Sequence, residues 1–253
     1  MAQIAWLTDI HLDFLKPIER NGFYYDVAEP DPNAALIGGD VSESRTLVER
    51  LEELDRVWTF PIYFVLGNHD YFNGSIRQVR AEVDELVARH PKLIYLTHSE
   101  PVELSPQTGL VGHDGWADGR LGDYERSLVL MLDYSLIGEF AGLGKERRWK
   151  LMQALADEAA DESRPKLEAA LARYPHVYFL THIPPFREAC WHDGKISDNE
   201  WLPHFTSQAM GDMLSAVMEA HPQRQLTVLC GHTHGAGEAQ IRENLRVLTG
   251  GAS

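Results

Sequence analysis

Two histidines, His232 and His234, follow a glycine at the end of the apolar run Leu226-Thr227-Val228-Leu229-Cys230. Imidazoles at this spacing after a strand turn two nitrogen donors toward one pocket, as a divalent cation requires. The same punctuation occurs at four other places. Ile4-Ala5-Trp6-Leu7 runs into Asp9 and His11, which in extended chain point to the same side. Ala34-Ala35-Leu36-Ile37 is broken by Gly38-Gly39 and followed by Asp40, and glycines let backbone pass close to a bound ion or phosphate. Pro61–Leu66 stops at Gly67-Asn68-His69-Asp70, and Val177–Leu180 ends at Thr181-His182 in a loop stiffened by Pro184 and Pro185.

Apolar strands that deliver polar groups at their C-terminal ends are how open α/β sheets build active sites. Singly, each of these motifs is weak. Five together, each placing a metal-compatible or proton-transfer residue directly after a strand, are hard to assign to chance. Seven candidate ligands with one bridging carboxylate supply the eight or so contacts of two divalent ions that keep room for solvent and substrate. Two such ions about 3.5–4 Å apart generate a hydroxide and clamp an in-line displacement at phosphorus.

The elements that must carry these residues are legible between the motifs. A helix is expected over about 43–58, capped by Ser42, with Leu47, Leu51, Leu54 and Trp58 facing a sheet. Another is expected over roughly 75–89, capped by Ser75. Residues 92–113 read as short strands. The stretch 12–33, with Pro17, Gly22, Pro30 and Pro32 among aromatic residues, reads as a long loop. From about 123 to 174 the pattern is helical, with breaks near 138–144 and at Pro165, where Ser163 resembles a helix start; this stretch carries no nameable chemistry. The segment 113–120 offers His113, Trp116 and Arg120 as residues able to touch a ligand, with packing roles as the default. The loop 186–205 holds Arg187, Trp191, His192 and Trp201 and is expected to border the cleft. Helix 206–220 and a closing hairpin at 240–248 complete the chain.

The 253 residues are 44% hydrophobic and 24% charged, enough for a large core, and without repeats or a low-complexity linker they read as one domain, 1–253. Twenty-three basic against 38 acidic residues give a formal charge of −15, which disfavours broad nucleic-acid binding without opposing a cation site. Two cysteines, Cys190 and Cys230, argue against a disulfide scaffold and for a reducing, cytoplasmic compartment. The start, Met1-Ala2-Gln3-Ile4, enters a strand pattern with no basic leader, and no apolar run approaches membrane-spanning length.

In order, Asp-x-His, Gly-Asp, Gly-Asn-His-Asp, His and Gly-His-x-His resemble the motifs of the calcineurin-like metallophosphoesterase superfamily, over residues 9–234. The resemblance implies an α/β fold, a four-layer αββα sandwich of two mixed sheets flanked by helices, with the site at the sheets' C-terminal edge. It implies that Asp9, His11 and His234 hold one metal, that Asn68, His182 and His232 hold a second, and that Asp40 bridges them. Manganese, iron and zinc all suit such ligands. His69 matches the family's active-site histidine beside the phosphate, with Asp70 expected to orient it through a hydrogen bond. The nucleophile implied is a metal-bridging hydroxide. Leu12, Val41-Ser42-Glu43 and Asp70 depart from the protein serine/threonine phosphatase branch, and His69 departs from the lipid A precursor hydrolases. The sequence looks more like the bacterial branch that includes class III cyclic-nucleotide phosphodiesterases. The expected substrate is a small phosphodiester or phosphomonoester. A nuclease is the alternative, and a non-catalytic scaffold of the same fold is a more distant one.

Overall fold

A computed structural model describes residues 3–252; Met1 and Ala2, part of the expected run into the first strand, lie outside it. Four strands, β1 (Ile4–Leu7), β2 (Ala34–Gly38), β3 (Ile62–Val65) and β4 (Leu93–Tyr95), pair in that order, all parallel. Parallel neighbours require crossovers, so all polar loops after β1, β2 and β3 leave from the same edge. The crossovers contain α1 (Pro17–Ala28), α2 (Ser44–Val57) and α3 (Ile76–Val87).

The second sheet is mixed. It is built from β5 (Val102–Ser105), β6 (Thr108–His113), β7 (His176–Thr181), β10 (Gln225–Cys230), β11 (Gly237–Arg242) and β12 (Leu245–Thr249), in the order β11-β12-β10-β7-β6-β5. Strands β6, β7, β10 and β12 run parallel, so the ends of β7 and β10 also meet at one edge. A two-stranded ribbon, β8 (Trp191–His192) and β9 (Lys195–Ile196), stands off the sheets. The helices α4 (Asp133–Leu136), α5 (Lys145–Arg173), α6 (Leu202–Phe205) and α7 (Gln208–Ala220) complete the chain.

The layers follow from which faces are apolar. Leu47, Leu51 and Leu54 of α2 and Val79, Val83 and Leu86 of α3 pack on the first sheet through Ile37, Ile62 and Phe64. Leu167 and Leu171 of α5 with Met213, Leu214 and Val217 of α7 pack on the second through Val177, Phe179 and Val228. Between the sheets, Leu36 and Val65 meet Leu110, Leu180 and Leu229. The result is the expected α/β sandwich with sheets flanked by helices.

Several expectations fail locally. Residues 12–33 are not a loop: a short 3-10 turn, Leu12–Phe14, precedes α1. Pro17 occupies the first helical turn, where its missing N–H costs nothing, and the Lys16 amide donates to Glu19 Oε2 at 2.8 Å. Of the aromatic residues there, Tyr24 is the one fully buried, and Trp58 Nε1 donates to its carbonyl at 2.9 Å. Ser42 does not cap α2. Its hydroxyl bonds to Thr46 Oγ1 at 2.7 Å, and Glu43 holds the cap position. Ser75, by contrast, caps α3 by accepting from the Gln78 amide.

Finally, Pro165 does not interrupt α5. A proline inside a helix costs about 3 kcal/mol, but Met152, Ala156, Ala159, Leu167 and Leu171 are buried on both sides of it and hold the axis. Ser163 is therefore buried mid-helix rather than at a start. Residues 123–132 are not helical.

Candidate metal centre and active site

The five motifs meet. Asp9, His11, Asp40 and His234 form one cluster whose donor atoms lie within 4.8 Å of one another, and Asp40, His182 and His232 form a second. Asp40 belongs to both, as a bridging carboxylate must. In the first, His11 Nε2 lies 3.3 Å from His234 Nε2, and His234 Nε2 lies 3.4 Å from Asp9 Oδ1. In the second, His182 Nε2 lies 3.4 Å from Asp40 Oδ2 and 3.0 Å from Asn68 Oδ1.

The loops reach these positions through unusual backbone. Asp9, His11, Asp40, His232 and His234 have φ of 53°, 40°, 54°, 69° and 57°. This left-handed region costs a non-glycine residue about 1–3 kcal/mol and persists only where the surroundings over-determine it. Here they do. The Asp9 amide donates to Gly39 O at 3.1 Å, the His11 amide to Asp40 O at 3.0 Å, and the His232 amide to both Asp9 carboxylate oxygens at 3.1 Å. Close approach also requires bare backbone. A Cβ on Gly67 would fall on Asp40 Oδ1 and within 2.6 Å of the Asp40 amide; one on Gly231 would overlap Thr8 Oγ1.

Hydrogen bonds outside the clusters choose which atoms face in. His182 Nδ1 donates to Gly38 O at 2.8 Å, leaving Nε2 as the lone-pair nitrogen. His232 Nε2 donates to His204 O at 3.3 Å, leaving Nδ1. Asn68 Nδ2 donates to Asp133 Oδ1 at 2.7 Å, which turns the amide oxygen toward His182.

The electrostatics call for positive charge. Burial alone would raise the Asp40 carboxyl, but His182, then His69 and His11, hold it far below the usual carboxylate range. Burial likewise opposes charge on His182, yet Asp40 outweighs it and pushes that imidazole up to about 10. His232 moves the other way, to about 3, through burial and the neighbouring His182. Two buried carboxylates facing lone-pair nitrogens and an amide oxygen are a donor set that fits two divalent cations. Two separate His/Asp clusters are thus able to coordinate metal.

His69 and Asp70 part company. The His69 ring lies on the cleft side, 4.7 Å centroid to centroid from His11 and stacked on Phe72 at 4.2 Å, and its amide donates to Asp40 Oδ1 at 2.8 Å. The expected Asp70 bond to its ring is not formed. Asp70 is buried and instead accepts the amides of Gly67 at 2.7 Å, Asp40 at 2.9 Å, Val41 at 2.8 Å and Ser42 at 2.9 Å. Both oxygens are saturated by backbone, so Asp70 pins the Asp40 loop against the Asn68 loop rather than steering an imidazole.

Of the ligand-contact candidates outside the motifs, His192 and Trp201 line a cleft of about 390 Å³ that opens from Asp40, Asn68, His69, His232 and His234. His113 is buried against Glu162, Trp116 stacks on Phe140, and Arg120 pairs with Asp118 and Asp157; none of them lines that cleft. Three contributors escape sequence reading. Asp133 and Met131 sit in a segment whose pattern marks no chemistry, and His204 lies in the loop expected to border the cleft but carries no motif of its own. Asp114 is a fourth, and it was findable, because it follows an apolar strand as the other motif residues do. Its carboxylate accepts from the Leu66 amide, Tyr71, Tyr95, Thr97 and Arg80, and the His182 amide donates to its carbonyl at 3.2 Å. It therefore joins the ends of β3 and β7.

No curated protein sequence matches the chain. Among solved structures, the phosphopantetheinyl hydrolase of Mycobacterium tuberculosis aligns with 99% of this chain and 90% of its own, with a TM-score of 0.68 and 16% identity. A dimetal phosphatase from Danio rerio aligns with 99% of this chain and 87% of its own, with a TM-score of 0.60 and 14% identity. At these identities the likeness speaks for the fold. The sequence profile of the calcineurin-like phosphoesterases matches residues 2–236, a span that contains both metal-capable clusters, and the chain belongs to that family.

Proposed function

We propose that this dinuclear metal-dependent phosphoesterase hydrolyses a small phosphodiester or phosphomonoester in the cleft beside His69. The observation that carries the reading is the sharing of Asp40 between two complete donor clusters. Asp9, His11 and His234 would hold one cation, Asn68, His182 and His232 the other, and Asp40 both. When bound, such a pair supplies Lewis acidity toward a phosphoryl oxygen and an activated water. The chain's own part is to fix donor geometry and to place His69 beside the phosphoryl group. There the imidazole stabilises charge on the phosphoryl oxygens or protonates the leaving oxygen.

We further propose that residues 1–253 work as one unit in a reducing, cytoplasmic compartment. The shared core between the sheets and two buried free thiols, Cys190 and Cys230, support this. Among the described residues no helix is long and apolar enough to cross a membrane. Leu12, Val41-Ser42-Glu43 and Asp70 favour grouping with the bacterial branch that includes class III cyclic-nucleotide phosphodiesterases.

The test is a metal-supplemented panel of bis-aryl phosphate, aryl phosphate, cyclic nucleotides, a phosphopantetheinyl ester and short oligonucleotides. The expected result is turnover of a small ester that chelation abolishes. Preference for oligonucleotides would favour the nuclease alternative, and no turnover of any ester would leave a scaffold.

A further inference from the structure

The centre opens onto a wall that neither metal nor phosphate explains. From the buried His232, rings continue outward: His232 to Phe205 at 4.6 Å, then Phe205 to Trp201 at 5.9 Å. Trp201, Phe205 and Met131 all line the same cleft as His69 and Asn68. Trp201 is 46% exposed, and the run Leu128-Val129-Leu130-Met131-Leu132 continues the apolar surface, with its leucines 84%, 79% and 61% exposed. The two segments are bound side by side: Ser127 Oγ donates to Glu200 O at 2.9 Å and the Leu128 amide to Glu200 Oε1 at 3.3 Å. A contiguous exposed apolar surface on a soluble-type exterior marks a binding site. Here it is continuous with the catalytic cleft.

We infer that the substrate is an amphiphilic phosphoester whose flexible hydrocarbon chain runs from the metal centre along Phe205, Trp201 and Met131 and out onto Leu128, Leu130 and Leu132. This rests on the phosphoesterase reading and names its substrate class. The Phe205 and Trp201 rings lie 5.9 Å apart, centroid to centroid, with their planes tilted by 51°, so they leave no slot between them for a planar base and present a track for a chain. The lip beyond them is aliphatic. The net charge of −15 repels an anionic bilayer, so the wall receives one chain of a bound ester rather than docking a membrane.

The test uses the full-length, metal-loaded protein and alkylphosphonates from methyl to octyl, titrated by calorimetry. Each added methylene, buried on one side only along an apolar wall, tightens binding about twofold. The steps should persist until the chain leaves the lip. Leu130→Ser with Leu132→Ser, both at exposed positions that spare the fold, should flatten the longest members of the series. A series that changes less than twofold overall, or one with equal slopes in wild type and variant, overturns the inference. So does a flat series in a dimer that the same variant dissociates, since a second copy would then cover the lip. The matching 4-nitrophenyl alkyl phosphates separate the two readings. Chain-length-dependent phosphonate binding without hydrolysis of any of them sinks the phosphoesterase reading and keeps the wall. Hydrolysis with no length dependence does the reverse.

Discussion

Asn68 and Asp133 are joined by a 2.7 Å hydrogen bond across 65 residues of chain, and that bond decides which end of the Asn68 amide faces the metal centre. Without an acceptor at Asp133, amide nitrogen and oxygen could exchange places, and the nitrogen is no ligand. Burial pushes the Asp133 carboxyl up to about 6 against the pull of Asn68, so its place there is held by the surrounding fold. Asp133→Ala should weaken binding of one of the two cations about 10- to 100-fold and leave the other close to wild type. Metal competition titration reads both affinities. Two unchanged constants would show that Asn68 is held by something else.

Asp40 and His69 should separate metal binding from chemistry. Asp40→Ala removes the one group common to both clusters, so bound metal and turnover should fall together. His69→Ala should lower the rate about 10²–10⁴-fold while metal content stays at wild type. Elemental analysis alongside kinetics distinguishes them. Loss of metal in the His69 variant would make it a ligand, and retained turnover in a metal-verified Asp40 variant would contradict a dinuclear site.

Gly67→Ala tests how closely the loops must approach. The added methyl falls on Asp40 Oδ1 and the Asp40 amide, atoms held by His69 and Asp70 and unable to retreat cheaply. Overpacking of this kind costs about 1–3 kcal/mol. Thermal unfolding should register that loss, and metal affinity should fall with it. Gly142→Ala, whose Cβ would meet open space, is the steric control, although its φ of 77° carries its own backbone cost.

The buried pair Arg80–Asp114 is expected to matter for stability through its asymmetry. Burial would raise the Asp114 carboxyl, but the Arg80 guanidinium brings it down to about 2, with contacts of 3.1 Å. Arg80→Met leaves the carboxylate to two tyrosines, one threonine and one amide, and should cost about 3 kcal/mol in chemical denaturation. Arg80→Met with Asp114→Asn should recover part of that loss, because no charge is then stranded and the amide still offers a partner to the tyrosines, Thr97 and the Leu66 amide. A double variant worse than the sum of the singles would contradict this account.

The clusters were legible in the sequence because continuous apolar runs and their polar endings are local signals. β1, β2, β3, β7 and β10 each announce a strand, and a residue shortly past the end of each lands in the site. Asp70 was found but misjudged. Its neighbour in sequence is His69, whereas its partners in space are four amides, and backbone donors leave no mark on a sequence. Pro17 and Pro165 misled in opposite ways: one starts a helix and the other is carried by a helix packed on both sides of it. Met131 and Asp133 were invisible because the irregular run 123–132 and the single-turn α4 that follows carry no periodic pattern, and tertiary contacts alone fix such chain.

His113 should make the fold acid-sensitive above the range where carboxylates titrate. Burial lowers its imidazole below 6.5, against Glu162 and Asp114, which favour the charged form, and with Arg80 and Lys166, which oppose it. Its unfolded counterpart binds a proton near 6.5, so below that pH the unfolded chain holds more protons than the folded one. Stability therefore rises with pH through this window and is lost as pH falls from 6.5 toward the depressed folded value. Asp114 acts separately: its folded value of about 2 lies below 3.8, so its contribution is complete above 3.8 and lost only as pH falls toward 2. His176 and His204, also lowered by burial, add to the same trend as His113. The difference between wild type and His113→Gln cancels those shared contributions. Between pH 7 and 5 the melting temperature of wild type should fall more steeply than that of the variant, in metal-loaded protein at fixed salt. Parallel curves would mean that His113 titrates alike in the folded and unfolded chains.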